Sequence, residues 1–288
     1  MVDLFGQGDF DVRLDWGPVG ARAAQADVSV VVDVLSFSTA VTVAVERGMR
    51  VFPFRWKGEE AETFAADNQA VLAVGRLEST KSGSVPAPSL SPASLLTCAP
   101  IPRLVLPSPN GSTIADALRA TGSTVAIGCL RNAGAVAEWL VPALEARRSV
   151  AVVAAGERWS EDDSLRPALE DHLGSGAILS KLVALGYGDR LSPEAWSAVD
   201  LFDAGVEQLS ARLHNCVGGR ELTSKGFSAD VDVASDIDAS SVVPVLVDGA
   251  FDVGAVRPPA EVGVTELGGG ATDEARTRTT RMTGEAKL

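Results

Sequence analysis

Along the first 155 residues, short apolar runs alternate with polar turns and with stretches of helical spacing. Phe10 to Trp16 alternates apolar and polar side chains, which predicts a strand with one wet face, broken by Gly17 and Pro18. Val28 to Val34 is β-branched and apolar apart from Ser29 and Asp33, the pattern of a strand buried on both faces. Thr39 to Arg47 is predicted to be a helix stopped by Gly48. Further strands are predicted at Arg50 to Phe54, Ala70 to Val74, Arg103 to Leu106, Thr124 to Ile127 and Ser149 to Ala154. Helices are predicted in KGEEAETFAADN, from Ile114 to Arg119 and from Ala135 to Ala146. This recurrence implies right-handed βαβ crossovers and an α/β fold of three αβα layers around a mostly parallel sheet.

The pattern changes in two places. Gly75 to Pro102 is rich in Gly, Ser and Pro and is read as a long loop, either a binding lid or a plain surface connection. Arg76 and Lys81 make it one of the few cationic places on the chain. The second half is more helical, with an apolar stripe over Arg166 to Gly186 and a long helix predicted from Ser192 to Leu213, Pro193 in its first turn. A late strand is expected at Val242 to Val247. Residues 1–262 are read as a single α/β domain, with 155–165 as the place where two subdomains would divide, and residues 263–288 as a disordered tail.

Candidate chemistry gathers where strands end and helices begin, the usual ligand site of an open α/β sheet. Asp33 closes the Val28 to Val34 run, and Ser36, Ser38 and Thr39 open the next helix. Helix-start amides suit an anion and the carboxylate suits a hard cation. The same residue types are also ordinary turn and cap residues. Asn110-Gly111-Ser112-Thr113 and Arg131-Asn132 are two further anion-compatible turns, and plain turns read equally well. Glu170-Asp171 is a carboxylate pair in an apolar helix, followed by Gly174 and Gly176. The pair is either half of a metal site or a solvated helix start. Glycines inside a helix suggest a close approach of backbone or ligand.

Composition removes several alternatives. The net charge of −13 argues against a nucleic-acid partner, which needs a basic face. Three dispersed cysteines, Cys98, Cys129 and Cys216, form no Cys-x-x-Cys pair, and His172 and His214 have no zinc spacing. No nucleophile elbow, Walker loop or dinucleotide fingerprint occurs. The start of the sequence has no apolar signal region and no apolar run of 18 residues exists, so a soluble cytoplasmic protein is the default expectation. Oxygen donors favour Mg²⁺ over softer metals.

Five segments in order, DVLSFST, SPNGST, GCLRNAGAVA, ALEDHLGSGAI and GGRELTSKGFSADVDVASDIDASSVVPVL, resemble the 2-phosphosulfolactate phosphatase family. The resemblance spans Asp27 to Val247. It implies an α/β, Mg²⁺-dependent phosphatase that hydrolyses (2R)-phospho-3-sulfolactate to sulfolactate and phosphate, a step of coenzyme M synthesis. It places Asp33, Glu170 and Asp171 as catalytic and metal residues, with Asp33 alternatively the attacking or base carboxylate. Ser38, Thr39, Asn110, Gly111, Ser112, Arg131 and Asn132 would cradle the phosphate. Two departures stand out. The family commonly has Arg after Asp-Val-Leu, where this chain has Ser36, and of the family's Gly-Asn-Ser-Pro loop only Ser91-Pro92 fits. Arg76, Arg131 or Arg220 would then meet the second anionic group. The expected partner is a small anionic phosphorylated substrate, with no membrane, and assembly as a homodimer is left open. Phosphatase action on another small phosphorylated acid, or anion binding without catalysis, are the alternatives.

Overall fold

The computed structural model describes residues 4–55, 58–79 and 88–253. All of these fall in one compact unit. Lys81, the centre of the 75–102 stretch and the 263–288 tail lie outside the described residues. The elements run β1 (Val12–Trp16), α1 (Gly17–Ala23), β2 (Val28–Val32), α2 (Phe37–Glu46), β3 (Arg50–Phe54), α3 (Glu59–Asp67) and β4 (Val71–Leu72). Next come α4 (Arg76–Ser79), α5 (Pro92–Thr97), β5 (Arg103–Pro107), α6 (Gly111–Ala120), β6 (Thr124–Gly128), α7 (Ala133–Glu145) and β7 (Val150–Ala154). A short hairpin, β8 (Glu157–Arg158) and β9 (Leu165–Arg166), precedes α8 (Leu169–Leu182), α9 (Pro193–Asp203), α10 (Leu209–Asn215), α11 (Val217–Ser224) and α12 (Ser228–Ser235). Strands β10 (Pro244–Val247) and β11 (Ala250–Val253) end the described chain.

The main sheet has the order β1-β7-β2-β6-β10-β11-β3-β5-β4. Strands β1, β7, β2 and β6 are mutually parallel, and so are β3, β5 and β4. The antiparallel pair β10–β11 joins these two parallel halves. Its turn is Asp248-Gly249 with φ of 51° and 80°. Positive φ at both central residues matches the right-handed twist of a two-residue hairpin, and Asp-Gly is the sequence that tolerates it. The single late strand expected at Val242 to Val247 is therefore half of a hairpin, and its partner β11 escaped the sequence reading.

Strand β2 is buried throughout, as its composition predicts. Val28, Val30 and Val32 face a core shared with α7, α8, α9 and α10, while Val31 faces a second core built from α1, α2 and α6. Period-two alternation sends successive side chains to opposite faces, so helices cover both sides. This is the expected three-layer αβα arrangement.

Three expected elements differ. The predicted loop at 75–102 contains α4 and α5, the latter started by Pro92 with Ser91 Oγ accepting from the Ser94 amide. The predicted long helix from Ser192 to Leu213 breaks at Ala204-Gly205 into α9 and α10, joined by a 3₁₀ turn at Val206–Gln208. The 166–186 helix starts only at Leu169, because Leu165 and Arg166 pair with β8. Apolar spacing alone continues through both ends, but strand pairing and glycine stop the helical backbone.

The glycines of α8 serve packing. A Cβ on Gly174 would lie 2.4 Å from Val34 Cγ2, and one on Gly176 would lie 2.1 Å from the Ala198 carbonyl oxygen. The latter contact is with backbone, so α8 and α9 cannot accommodate a methyl without separating. Gly176→Ala should lower stability by about 1–3 kcal/mol, measured by urea denaturation, despite the higher helix propensity of alanine. Among the described residues no helix is long and apolar enough to cross a membrane.

Candidate active site

The site forms at the carboxyl ends of the adjacent strands β2 and β7. Just beyond β2 the chain turns sharply into α2, and hydroxyls within that turn hold its backbone. Ser38 Oγ accepts the Asp33 N–H at 2.9 Å and donates to the Val31 carbonyl at 2.9 Å. Thr39 Oγ1 donates to the Val34 carbonyl at 2.6 Å. The stitched turn leaves the Asp33 side chain pointing out of the strand end, 7% exposed. Its Oδ2 is buried without a hydrogen-bond partner among the described residues.

Asp171 stands at the first turn of α8 and ties the two strand ends together. Its Oδ1 accepts the Val34 amide at 2.7 Å and its Oδ2 accepts the Gly156 amide at 2.8 Å. Glu170, 4% exposed, lies beside it. Gly218 in α11 sits so close to Glu170 that a Cβ there would lie 2.4 Å from Oε1. The missing side chain is what lets α11 approach that carboxylate. Glu157, at the start of β8 and three residues beyond the end of β7, lines the pocket from its rim, accepting from Asn110 Nδ2 at 3.3 Å. The pocket measures about 350 Å³, and its acidic wall carries Asp33, Glu157, Glu170 and Asp171. Arg76 from α4 and Lys225 after α11 supply positive charge at the same pocket.

Crowded, desolvated carboxylates resist ionisation. Burial, the neighbouring Glu157 and Glu170 raise the Asp33 carboxyl to about 7, against the Phe37 amide and Arg76, which favour its charge. Burial, Asp33 and Glu170 push Asp171 well up, with its two amide donors opposing. Glu157 is raised by desolvation and then by Glu170. Burial and the charge of Glu170 likewise push the Cys216 thiol to about 12, so it is a packed thiol and not a nucleophile. Among the described residues no three His, Cys, Asp or Glu side chains are arranged as a ready metal cage.

Asp33, Glu170, Asp171 and Arg76 thus meet in one pocket, from positions up to 138 residues apart in sequence. The solvated-pair reading of Glu170-Asp171 gives way, since both are buried. Other residues singled out from sequence have structural tasks here. Ser38 and Thr39 bond backbone carbonyls. Asn132 accepts the Cys129 amide and donates to the Ile127 and Val242 carbonyls, fixing the start of α7. Arg131 bonds Asp236 and the Val233 carbonyl, outside the pocket lining. Gly111 packs under the Phe37 ring, and Ser112 is buried with its hydroxyl unpartnered among the described residues. Asn110 reaches the site only through Glu157, and Arg220 is exposed outside the lining. The sequence reading missed Glu157, Glu221 and Lys225. Glu157 had a signal, since it follows a buried strand at the same offset from its end as other strand-end polar turns. Lys225 and Glu221 had none, lying on a polar helix end.

A model of the 2-phosphosulpholactate phosphatase family matches residues 19–249. The chain belongs to the 2-phosphosulpholactate phosphatase family. It is therefore a member of a phosphatase family, acting on phosphoric monoesters. The probable 2-phosphosulfolactate phosphatase of Pseudothermotoga lettingae is 30% identical over 230 residues, covering 79% of this chain and 93% of the relative. That of Deinococcus radiodurans is 28% identical over 228 residues, covering 77% and 89% respectively. That of Thermotoga petrophila is 27% identical over 150 residues, or 51% of this chain and 58% of the relative. The matched family region includes every carboxylate of the pocket, both strand ends and the β10 strand that joins the sheet halves.

Proposed function

We propose that this chain hydrolyses 2-phosphosulfolactate to sulfolactate and phosphate with the help of Mg²⁺. The carrying observation is that Asp33 Oδ2, buried and without a hydrogen-bond partner among the described residues, stands in a pocket whose lining also holds Glu78, Glu157, Glu170, Asp171 and Glu221. Such a lining repels a doubly anionic substrate unless a cation neutralises it. The donor chemistry fits Mg²⁺, which takes oxygen ligands and is held by one or two carboxylates together with waters and substrate phosphate. A protein-only cage of three side chains is therefore not required. Asp33 and Glu170 would hold the ion. Asp171 is less free, because each of its oxygens already accepts an amide, and its task is to fix the geometry of Asp33.

When bound, the cation polarises a phosphoryl oxygen and offsets negative charge that builds in the transition state. Arg76 and Lys225 orient the anionic substrate in the pocket. In hydrolysis a water oxygen–phosphorus bond forms as the ester oxygen–phosphorus bond breaks. Glu157, with its raised carboxyl at the rim, accepts the proton of the attacking water, and the leaving alkoxide, on the opposite side of phosphorus, takes its proton from solvent water. One observation favours a second reading, hydrolysis of another small phosphorylated acid: Ser36, not a cation, faces the pocket at the position after Asp-Val-Leu.

Phosphate release from a panel of phosphorylated acids, with MgCl₂ and with EDTA, tests both. The expected result is release from 2-phosphosulfolactate that EDTA lowers by at least 100-fold and Mg²⁺ restores. Release from a different phosphorylated acid alone selects the second reading, and no release from any compound removes both.

A further inference from the structure

We infer that Asp230 is a positioning residue that aims Arg76 at the non-reacting acid group of the substrate. This deepens the function proposed above and rests on it. Asp230 lies in α12 with its side chain 2% exposed, yet it is far in sequence from everything it holds. Its Oδ2 accepts Arg76 Nε at 2.9 Å. Its Oδ1 accepts the Ser91 hydroxyl at 2.5 Å and the Ala93 amide at 3.2 Å. Arg76 Nη2 also donates to the Leu35 carbonyl at 2.8 Å, two residues beyond Asp33. One buried carboxylate therefore unites the helix carrying Arg76, the start of α5 and α12, and clamps Arg76 onto the turn that carries Asp33.

The consequence is geometric. A guanidinium is a planar fork suited to a carboxylate or sulfonate, but only when its long side chain is fixed in direction. Arg76 would otherwise lose rotamer freedom on binding, which weakens affinity. Asp230 removes that freedom beforehand. Both Ser36 and Arg76 line the pocket, and Arg76 is bonded to the Leu35 carbonyl just before Ser36, so this clamp places a fixed cation beside a position that lacks one. The acidic wall and Arg76 occupy the same cavity, which suits a ligand with a phosphate at one end and a second acid group at the other.

Calorimetric binding of sulfolactate and of inorganic phosphate, alongside steady-state kinetics, tests the inference. Asp230→Asn should weaken sulfolactate binding and raise KM for 2-phosphosulfolactate about tenfold, with phosphate binding and kcat within about threefold of wild type. Asp230→Glu, which keeps the carboxylate, should recover part of the sulfolactate affinity. In an Arg76→Ala background, Asp230→Asn should have no further effect on sulfolactate binding, because the two changes act through one interaction. Parallel loss of both affinities in both Asp230 variants overturns the inference, as does an undiminished effect without Arg76 or a wild type that does not bind sulfolactate. If Asp230→Asn does not fold, Asp230→Glu alone and in the Arg76→Ala background decides by the same criteria. Wild type that binds sulfolactate selectively through Arg76 and Asp230 but releases no phosphate would overturn the phosphatase reading and leave this one standing.

Discussion

Replacing Asp33 with Asn is expected to lower kcat/KM about 10³-fold while leaving the fold intact. The side chain is isosteric, and its backbone contacts to Ser38 are unchanged by the substitution. The same variant should be more stable than wild type in the absence of metal at high pH. The Asp33 carboxyl rises from 3.8 to about 7 on folding, chiefly through burial and then the repulsion of Glu157. A raised acid favours the folded state most below its unfolded value. That stability is lost as pH climbs from about 4 through 7, because ionised Asp33 is then buried among like charges. At about 1.4 kcal/mol per unit, the wild type loses about 4 kcal/mol over this window, and Asp33→Asn does not. Urea denaturation at pH 4, 6 and 8 in chelator should show the two proteins converging at low pH and separating at high pH. Added Mg²⁺ should stabilise wild type at pH 8 and leave the variant unmoved. Full activity in Asp33→Asn, or lower stability than wild type at pH 8 in chelator, would refute this account.

Asp171→Asn should be the most destabilising of the pocket substitutions. The carboxylate accepts two amides at once, Val34 from the end of β2 and Gly156 from the end of β7. An asparagine presents one oxygen and one NH₂ group, so one amide must face a donor in a buried place. Loss of one hydrogen bond plus a stranded buried donor costs about 3 kcal/mol. For a protein of this size that lowers Tm by about 6–12 °C. Activity should fall as well, since the turn bearing Asp33 is no longer fixed against β7. Calorimetry and phosphate release measure the two effects. Unchanged Tm would show that the strand ends hold together without this bond.

The chemistry of the site explains why these two aspartates differ in effect although both are buried. Asp33 keeps an oxygen without a partner among the described residues, so its charge is a liability to folding and an asset to ligand binding. Asp171 has partners for both oxygens, so its hydrogen bonds support the fold even though burial, Asp33 and Glu170 disfavour its charge. Glu170 is buried beside the start of α11, where Gly218 leaves it room.

Much of this was legible in local pattern. The β-branched run of 28–34, the alternation of short strands with amphipathic helices and the polar strand ends all follow from burial on two faces and from helix capping. Those features suffice for a layered α/β fold and for suspecting Asp33 and the Glu170-Asp171 pair, because carboxylates at such places are exposed to ligands in any open sheet. What local pattern could not contain is pairing across distance. Whether Arg76 or Arg131 meets the pocket depends on which carboxylate captures each, Asp230 for one and Asp236 for the other, and neither lies near its arginine in sequence. Likewise the hydroxyls of Ser38 and Thr39 look the same in sequence whether they serve a ligand or their own turn, and only the folded backbone decides. Periodicity reports which face of an element is buried, a property of neighbours along the chain. Side-chain partnership is a property of neighbours in space, and it is settled only when the sheet order brings β2, β7, α4, α8, α11 and α12 to one pocket.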